Sequence, residues 1–225
     1  MNIGIIGSGN MGRSLGIVWA ELGHEVLFGG RDIEQARQAA ALAQGKAQYG
    51  SNDDAALFGE VVVYSPRGVA PSEVLKRVDA LEEKIVIDLN NSEIPPDFDY
   101  EPITQSHAEK LQQQIPKAHV VKAYNTFPQE IIELCPDKIR PFKVAAFVAA
   151  DNEHARNKVL ELSRELGLDA IDCGPLRRAR LLEGLGDFIR YLIIGGGRSD
   201  GNFSIVDVPD AEVPRLGGRC PSKLK

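Results

Sequence analysis

The segment Gly7-Ser8-Gly9-Asn10-Met11-Gly12 constrains this chain more than any other. It fits the spacing G-x-G-x-x-G, and it stands in the context that gives the spacing meaning: a β-branched run at 3–6 precedes it, and Met11, Leu15, Val18, Trp19 and Leu22 follow at helical intervals. Gly23 lies where a left-handed cap ends such a helix, and a second strand pattern at 25–28 follows within about 30 residues of the first. Strand, glycine turn, helix and strand together form a dinucleotide-binding unit. Gly7 permits the tight turn, Gly9 lets the backbone approach a pyrophosphate, and Gly12 lets the helix lie close on the sheet. The pyrophosphate charge then meets unpaired N–H groups at the positive end of the helix dipole.

Beyond this unit, short β-branched runs alternate with helical patterns. Strands are expected at 3–6, 25–28, 47–49, 61–64, 85–89, 120–123, 144–148 and 170–172. That alternation predicts an α/β chain with a Rossmann-type, doubly wound, mainly parallel sheet. A second helix is expected from Asp32, with Gln35 completing a capping box, to Leu42, and a third from near Pro71. Residues 90–100, with Pro95 and Pro96 among acidic residues, read as a long loop serving the site. After Cys173, the positions Leu181, Leu182, Leu185, Phe188, Ile189, Leu192 and Ile193 describe one amphipathic helix ended by Gly195, Gly196 and Gly197. The division expected is a nucleotide-binding domain over 1–173 and a small C-terminal helix and tail over 174–225, the tail from 209 wrapping the surface or staying partly disordered.

The end of the second strand selects the nucleotide. An NAD site usually places a carboxylate there for the ribose hydroxyls; here the chain reads Phe28-Gly29-Gly30-Arg31-Asp32. The planar guanidinium of Arg31 suits a 2′-phosphate, and Gly30 leaves space for one, so NADPH is expected over NADH. Asp32 is the competing ribose carboxylate, although a helix N-cap explains it more simply.

Composition closes off other classes. A net charge of −6 without a dense Lys/Arg block argues against nucleic acid or an anionic membrane as partner. No apolar run reaches the roughly 18 residues of a membrane span. Cys135, Cys173 and Cys220 are odd in number and far apart, which argues against a disulfide framework or a zinc site. With the first strand starting beside Met1, the expectation is a cytoplasmic protein without bound metal.

These residues resemble the NADPH:coenzyme F420 oxidoreductases and the related cytosolic reductase domain of the STEAP metalloreductases. The likeness runs through Leu22-Gly23-His24-Glu25, Gly29-Gly30-Arg31, Ile87-Asp88-Leu89-Asn90-Asn91, Val121-Lys122-Ala123-Tyr124-Asn125-Thr126 and Asp172-Cys173-Gly174-Pro175-Leu176 with Ala179-Arg180. It implies hydride transfer between the nicotinamide of NADP and a stacked deazaflavin (F420) or flavin (FMN or FAD) ring. By position, Ser8, Asn10, Met11, Gly30 and Arg31 surround the adenosine phosphate and pyrophosphate. Tyr64, Ser65 and Pro66 lie beside the nucleotide, Asn90 under the nicotinamide ribose, and Asn125, Thr126 and Phe127 face the acceptor. Asn125 stands where deazaflavin reductases of the family carry His, and Arg67 also departs from the pattern, so the acceptor stays open. A homodimer is a further family-level expectation.

Hydride transfer between stacked rings needs proximity and orientation before it needs an acid or base, so no catalytic side chain is assigned. Lys122 is expected to flank a strand with its head in water, and His107 to lie on the surface. Asp88 reads as a buried strand-end carboxylate ordering the next loop. Tyr124 and Phe127 are either core aromatics or site residues. The rival readings are a reductase of small imines or hydroxy acids, for which too little chain follows Cys173, and a non-catalytic NADPH sensor.

Overall fold

Alternating burial sets the layers. Val61 and Val63 enter one apolar cluster with Ile3, Ile5, Trp19 and Phe28, whereas Val62 and Tyr64 enter a second with Ile6, Leu27 and Val86. Successive side chains of a strand point to opposite faces, so both faces of the sheet are covered and each central strand is apolar throughout. Each such buried aliphatic or aromatic side chain contributes about 1.5–3 kcal/mol.

The computed structural model describes residues 1–206. Its strands are β1 (Asn2–Ile6), β2 (Glu25–Gly30), β3 (Ala47–Ser51), β4 (Val61–Tyr64), β5 (Ile85–Asp88), β6 (His119–Lys122), β7 (Ala145–Val148) and β8 (Asp169–Asp172). Its helices are α1 (Asn10–Glu21), α2 (Ile33–Leu42), α3 (Asn52–Phe58), α4 (Pro71–Val74), α5 (His107–Gln114), α6 (Gln129–Ile132), α7 (Pro136–Ile139), α8 (Glu153–Glu165) and α9 (Ala179–Arg190). Six strands form one sheet in the order β3-β2-β1-β4-β5-β6, every neighbouring pair parallel. This is the expected doubly wound α/β sheet, and all eight expected strands are present. The order reverses between β1 and β4, which opens a crevice at their carboxyl ends where such sheets bind ligands. The parallel pair β7-β8 joins the end of β6 through two backbone hydrogen bonds between Lys122 and Ala149, at 2.8 and 3.1 Å.

Local chemistry departs from expectation in three places. Asp32 does cap α2, accepting the Glu34 N–H at 2.9 Å, but Gln35 returns no bond and there is no capping box. Reciprocal boxes occur instead at Ser51/Asp54 and Ser106/Glu109. The helix at Pro71 is a single turn, because Leu75 is already extended. On α9, Leu182 and Ile189 turn inward, but so do Glu183, Gly186 and Asp187, while Leu181 and Phe188 are exposed. A five-residue π turn, Tyr191–Gly195, continues α9 into the glycines. The tail expected from 209 onward and Cys220 lie outside the described residues. Among the described residues no helix is long and apolar enough to cross a membrane.

Candidate functional site

The glycine turn joins β1 to α1. Gly7 adopts a φ of 78°, a left-handed conformation that favours glycine, and Gly9 is the N-cap residue of α1, with no side chain bonded to that end of the helix. The first-turn N–H groups are therefore available to an anion. Gly7, Ser8, Gly9, Gly30, Arg31 and Pro66 share a cavity of about 350 Å³. Arg31 is exposed there and has no ion-pair partner among the described residues. Asp32 borders the same cavity, and its Oδ1 accepts the Glu34 N–H at the start of α2.

Gly9 and Ser65 also border a larger cavity of about 610 Å³, so the two spaces meet at the glycine turn. Asn10, Met11, Asn90, Asn125 and Phe127 line this second space. Gly12 and Thr126 line neither. Gly12 lies beneath the turn, where an added Cβ would stand 3.1 Å from the Gly7 carbonyl oxygen, and Thr126 is buried. Tyr64 borders a third crevice of about 290 Å³ together with Pro66 and Asn90. Its hydroxyl donates to the Val69 carbonyl at 2.6 Å. Burial, and then the Asp88 and Glu73 carboxylates, push that phenol well above its ordinary pKa.

Asn90 is held from three sides. Its backbone N–H and its side-chain Nδ2 donate to Asp88 Oδ1 at 3.2 and 2.7 Å, and its carbonyl accepts from Lys122 Nζ. Asp88 thus orders the loop after β5 as expected. The expectation for Lys122 is overturned. It is fully buried, with Nζ 2.9 Å from both Asp88 Oδ2 and Glu183 Oε1. An ammonium tolerates that burial because it hydrogen-bonds to Asp88 and the Asn90 carbonyl and forms an ion pair with Glu183, so two of its three partners are charged. His107 is half-buried as the first residue of α5, and its backbone N–H donates to Glu183 at 3.0 Å.

Tyr124 and Phe127 serve both core and cavity. Tyr124 is 1% exposed with a φ of 58°, and its hydroxyl accepts from Ser163 at 3.0 Å on α8. Its ring meets Trp19 and Phe127 edge-on at 5.9 and 6.5 Å. Asn125 donates through Nδ2 to Asn91 Oδ1 and to the Leu182 carbonyl, both at 2.8 Å, and its own Oδ1 is buried without a partner among the described residues.

Sequence reading missed the far wall of the cavity, where Ile189, Arg190, Ile193 and Ile194 face Asn91 and Glu130. The 3.6-residue recurrence of Ile189 and Ile193 carried a signal for this wall, but it reads equally as core. Arg190 fixes the wall to the loop after β5. It donates to the Ser92 carbonyl at 2.6 Å and pairs with Asp187, and its guanidinium lies 5.8 Å from the centre of the Tyr100 ring. Burial raises the carboxyl pKa of Asp187 even beside that guanidinium.

Sheet order, glycine turn and adjoining cavities define a Rossmann-type dinucleotide-binding protein. Residues 2–92 match the family model described as NADP oxidoreductase, coenzyme F420-dependent. The F420-dependent NADP reductase of Methanocaldococcus jannaschii is 28% identical over 209 residues, covering 82% of this chain and 89% of the reductase. Rat metalloreductase STEAP3 is 28% identical over 183 residues, covering 81% of this chain; the match spans 36% of the metalloreductase, so this chain corresponds to about a third of that protein. A crystal structure from Arthrobacter sp. FB24, carrying the same reductase assignment, superposes with a TM-score of 0.78 at 28% identity over 91% of this chain and 99% of that one. The resemblance read from the motifs holds: the chain is similar to F420-dependent NADP reductases over most of its length. An imine reductase from Streptomyces aurantiacus shares the fold alone, at 14% identity and a TM-score of 0.62.

Proposed function

We propose that this chain is an NADP-dependent oxidoreductase that transfers hydride between the nicotinamide and a planar acceptor of the deazaflavin (F420) or flavin type. The observation that carries this reading is the pair of cavities meeting at Gly9 and Ser65, one bordered by Arg31 and the other by Asn90, Asn125 and Phe127. A dinucleotide threaded along the carboxyl ends of β1 and β4 places its adenosine end in the first and its nicotinamide end in the second.

The residues fit that ligand. Arg31, without an ion-pair partner among the described residues, offers its guanidinium to the 2′-phosphate, and Asp32, which borders the same cavity, has its Oδ1 engaged by the cap of α2. The uncapped first turn of α1 receives the pyrophosphate. Ser8, Asn10, Met11, Ser65 and Pro66 form the walls along this path, and Asn90 supports the nicotinamide ribose. Asn125 and Phe127 border the acceptor; Thr126 supports them from behind rather than touching it.

The chemistry asks little more of the protein. When bound, the reduced nicotinamide would supply a hydride, two electrons and a proton, to the acceptor ring. Residues of the larger cavity hold the rings together. Arg67 and Arg190 border the same cavity together with Glu130, and Arg190 is already paired with Asp187.

The test is to mix the purified protein with NADPH and, separately, F420, FMN, a ferric chelate and a cyclic imine, following absorbance of the reduced nicotinamide. Oxidation with a planar acceptor and none with the imine is expected. Oxidation by the imine alone, or by none of the four, would overturn the assignment.

A further inference from the structure

Lys122 touches neither cavity, yet its ammonium holds together three elements that do the work of the site. It is fully buried at the carboxyl end of β6 and meets Asp88 from β5, Glu183 from α9 and the carbonyl of Asn90. Asp88 in turn takes both the backbone and side-chain N–H groups of Asn90 on its other oxygen. Of Asn90's polar atoms, only the side-chain Oδ1 lacks a partner among the described residues, and Asn90 borders both the larger cavity and the crevice beside Tyr64. Glu183 spends its remaining capacity on the first turn of α5, accepting the His107 and Ala108 N–H groups at 3.0 and 3.4 Å. Nearly two turns further along α9 begin Ile189 and Arg190, the far wall of the cavity.

The charges make both arms depend on the one ammonium. Asp88 and Glu183 converge on one ammonium at 2.9 Å each in a region closed to solvent. Without the ammonium, two carboxylates would face each other with neither water nor counter-ion between them, so one must move or take a proton. Movement of Asp88 releases Asn90, and movement of Glu183 releases α9.

We propose that Lys122 is a positioning residue that ties the nucleotide-side acceptor, Asn90 Oδ1, to the acceptor-side wall on α9, through Asp88 and Glu183 respectively. The inference rests on the nucleotide reading above for the role of Asn90, whereas its α9 half stands on geometry alone. A side chain that served stability only would weaken all functions together; a positioning residue with two arms predicts that they separate.

Three variants of the full chain test this, each confirmed folded by circular dichroism and measured well below its melting temperature. Nucleotide affinity is read by NADPH fluorescence, and the mobility of α9 by amide hydrogen exchange over 186–194. D88N should raise the NADPH Kd at least tenfold and leave exchange near the wild-type rate. E183Q should speed exchange at least fivefold and leave the Kd within twofold. K122M should do both; should it fail to fold, the opposed behaviour of the other two still decides. Equal effects of D88N and E183Q on the two readouts, or an effect on neither, would overturn the proposal. A wild-type protein that binds no NADPH would instead overturn the nucleotide reading, and exchange in E183Q would still report on the α9 arm.

Discussion

Asn91 and Asn125 exchange two hydrogen bonds in the wall of the larger cavity: Asn125 Nδ2 donates to Asn91 Oδ1 at 2.8 Å, and Asn91 Nδ2 donates to the Asn125 carbonyl at 2.7 Å. Gly186 on α9 lies against this pair, where a Cβ would come within 2.4 Å of Asn91 Oδ1 and 2.8 Å of the Asn125 carbonyl oxygen. The helix can approach the strand ends this closely only because that position has no side chain.

Gly186→Ala therefore must push α9 away or break the amide pair. Overpacking of this kind costs about 1–3 kcal/mol. The expected result is a lower urea midpoint with an unchanged slope, and a midpoint equal to wild type would contradict the close approach.

Gly9 and Gly12 separate binding from folding. A Cβ at Gly9 meets nothing nearer than Ser65 Oγ at 3.6 Å, whereas one at Gly12 crowds the Gly7 carbonyl oxygen at 3.1 Å and Ile5 at 3.2 Å. Gly9→Ala should cost less than about 1 kcal/mol, as expected for an N-cap glycine, yet weaken NADPH at least tenfold by obstructing the pyrophosphate. Gly12→Ala should lower both stability and affinity. Calorimetric melting beside nucleotide titration checks the contrast.

Acid should loosen the start of α5. The Arg180 guanidinium, bonded to Glu109 at 2.6 and 2.8 Å, and then the Ser106 bonds hold this carboxyl down to about 2 despite its partial burial. A carboxyl whose folded pKa is depressed stabilises the fold above its unfolded value, about 4.3, and that contribution disappears as pH falls toward about 2. Between those limits the wild-type unfolding midpoint should decline more steeply than that of Glu109→Gln. Parallel curves would show that the ion pair contributes nothing.

Much of this fold was legible because its strands are buried on both faces, so that runs such as Val61–Tyr64 are apolar without interruption. The glycine turn was legible because Gly7 takes a left-handed φ and Gly12 lies close against the Gly7 carbonyl. Lys122 was not, since a lysine flanking a strand is ordinarily solvated, and its two carboxylate partners come from β5 and α9, brought together only by the tertiary fold. The orientation of α9 was misjudged for the same reason. Its apolar positions suggested Leu181 and Phe188 as inward, but the buried tasks of Glu183, Gly186 and Asp187 turn the helix so that those two face out. Gly12 and Thr126 line neither cavity, a distinction of depth that linear spacing does not carry.

The identity of the reductant rests on Arg31, and its most direct test compares NADPH and NADH binding to wild type and Arg31→Ala. Hydrogen bonds from a charged group contribute about 1.5–3 kcal/mol, so the variant should lose about 10- to 100-fold in NADPH affinity while NADH affinity stays within about twofold, as loss of the phosphate contact alone requires. Unchanged NADPH affinity, or an equal loss for both nucleotides, would contradict the account.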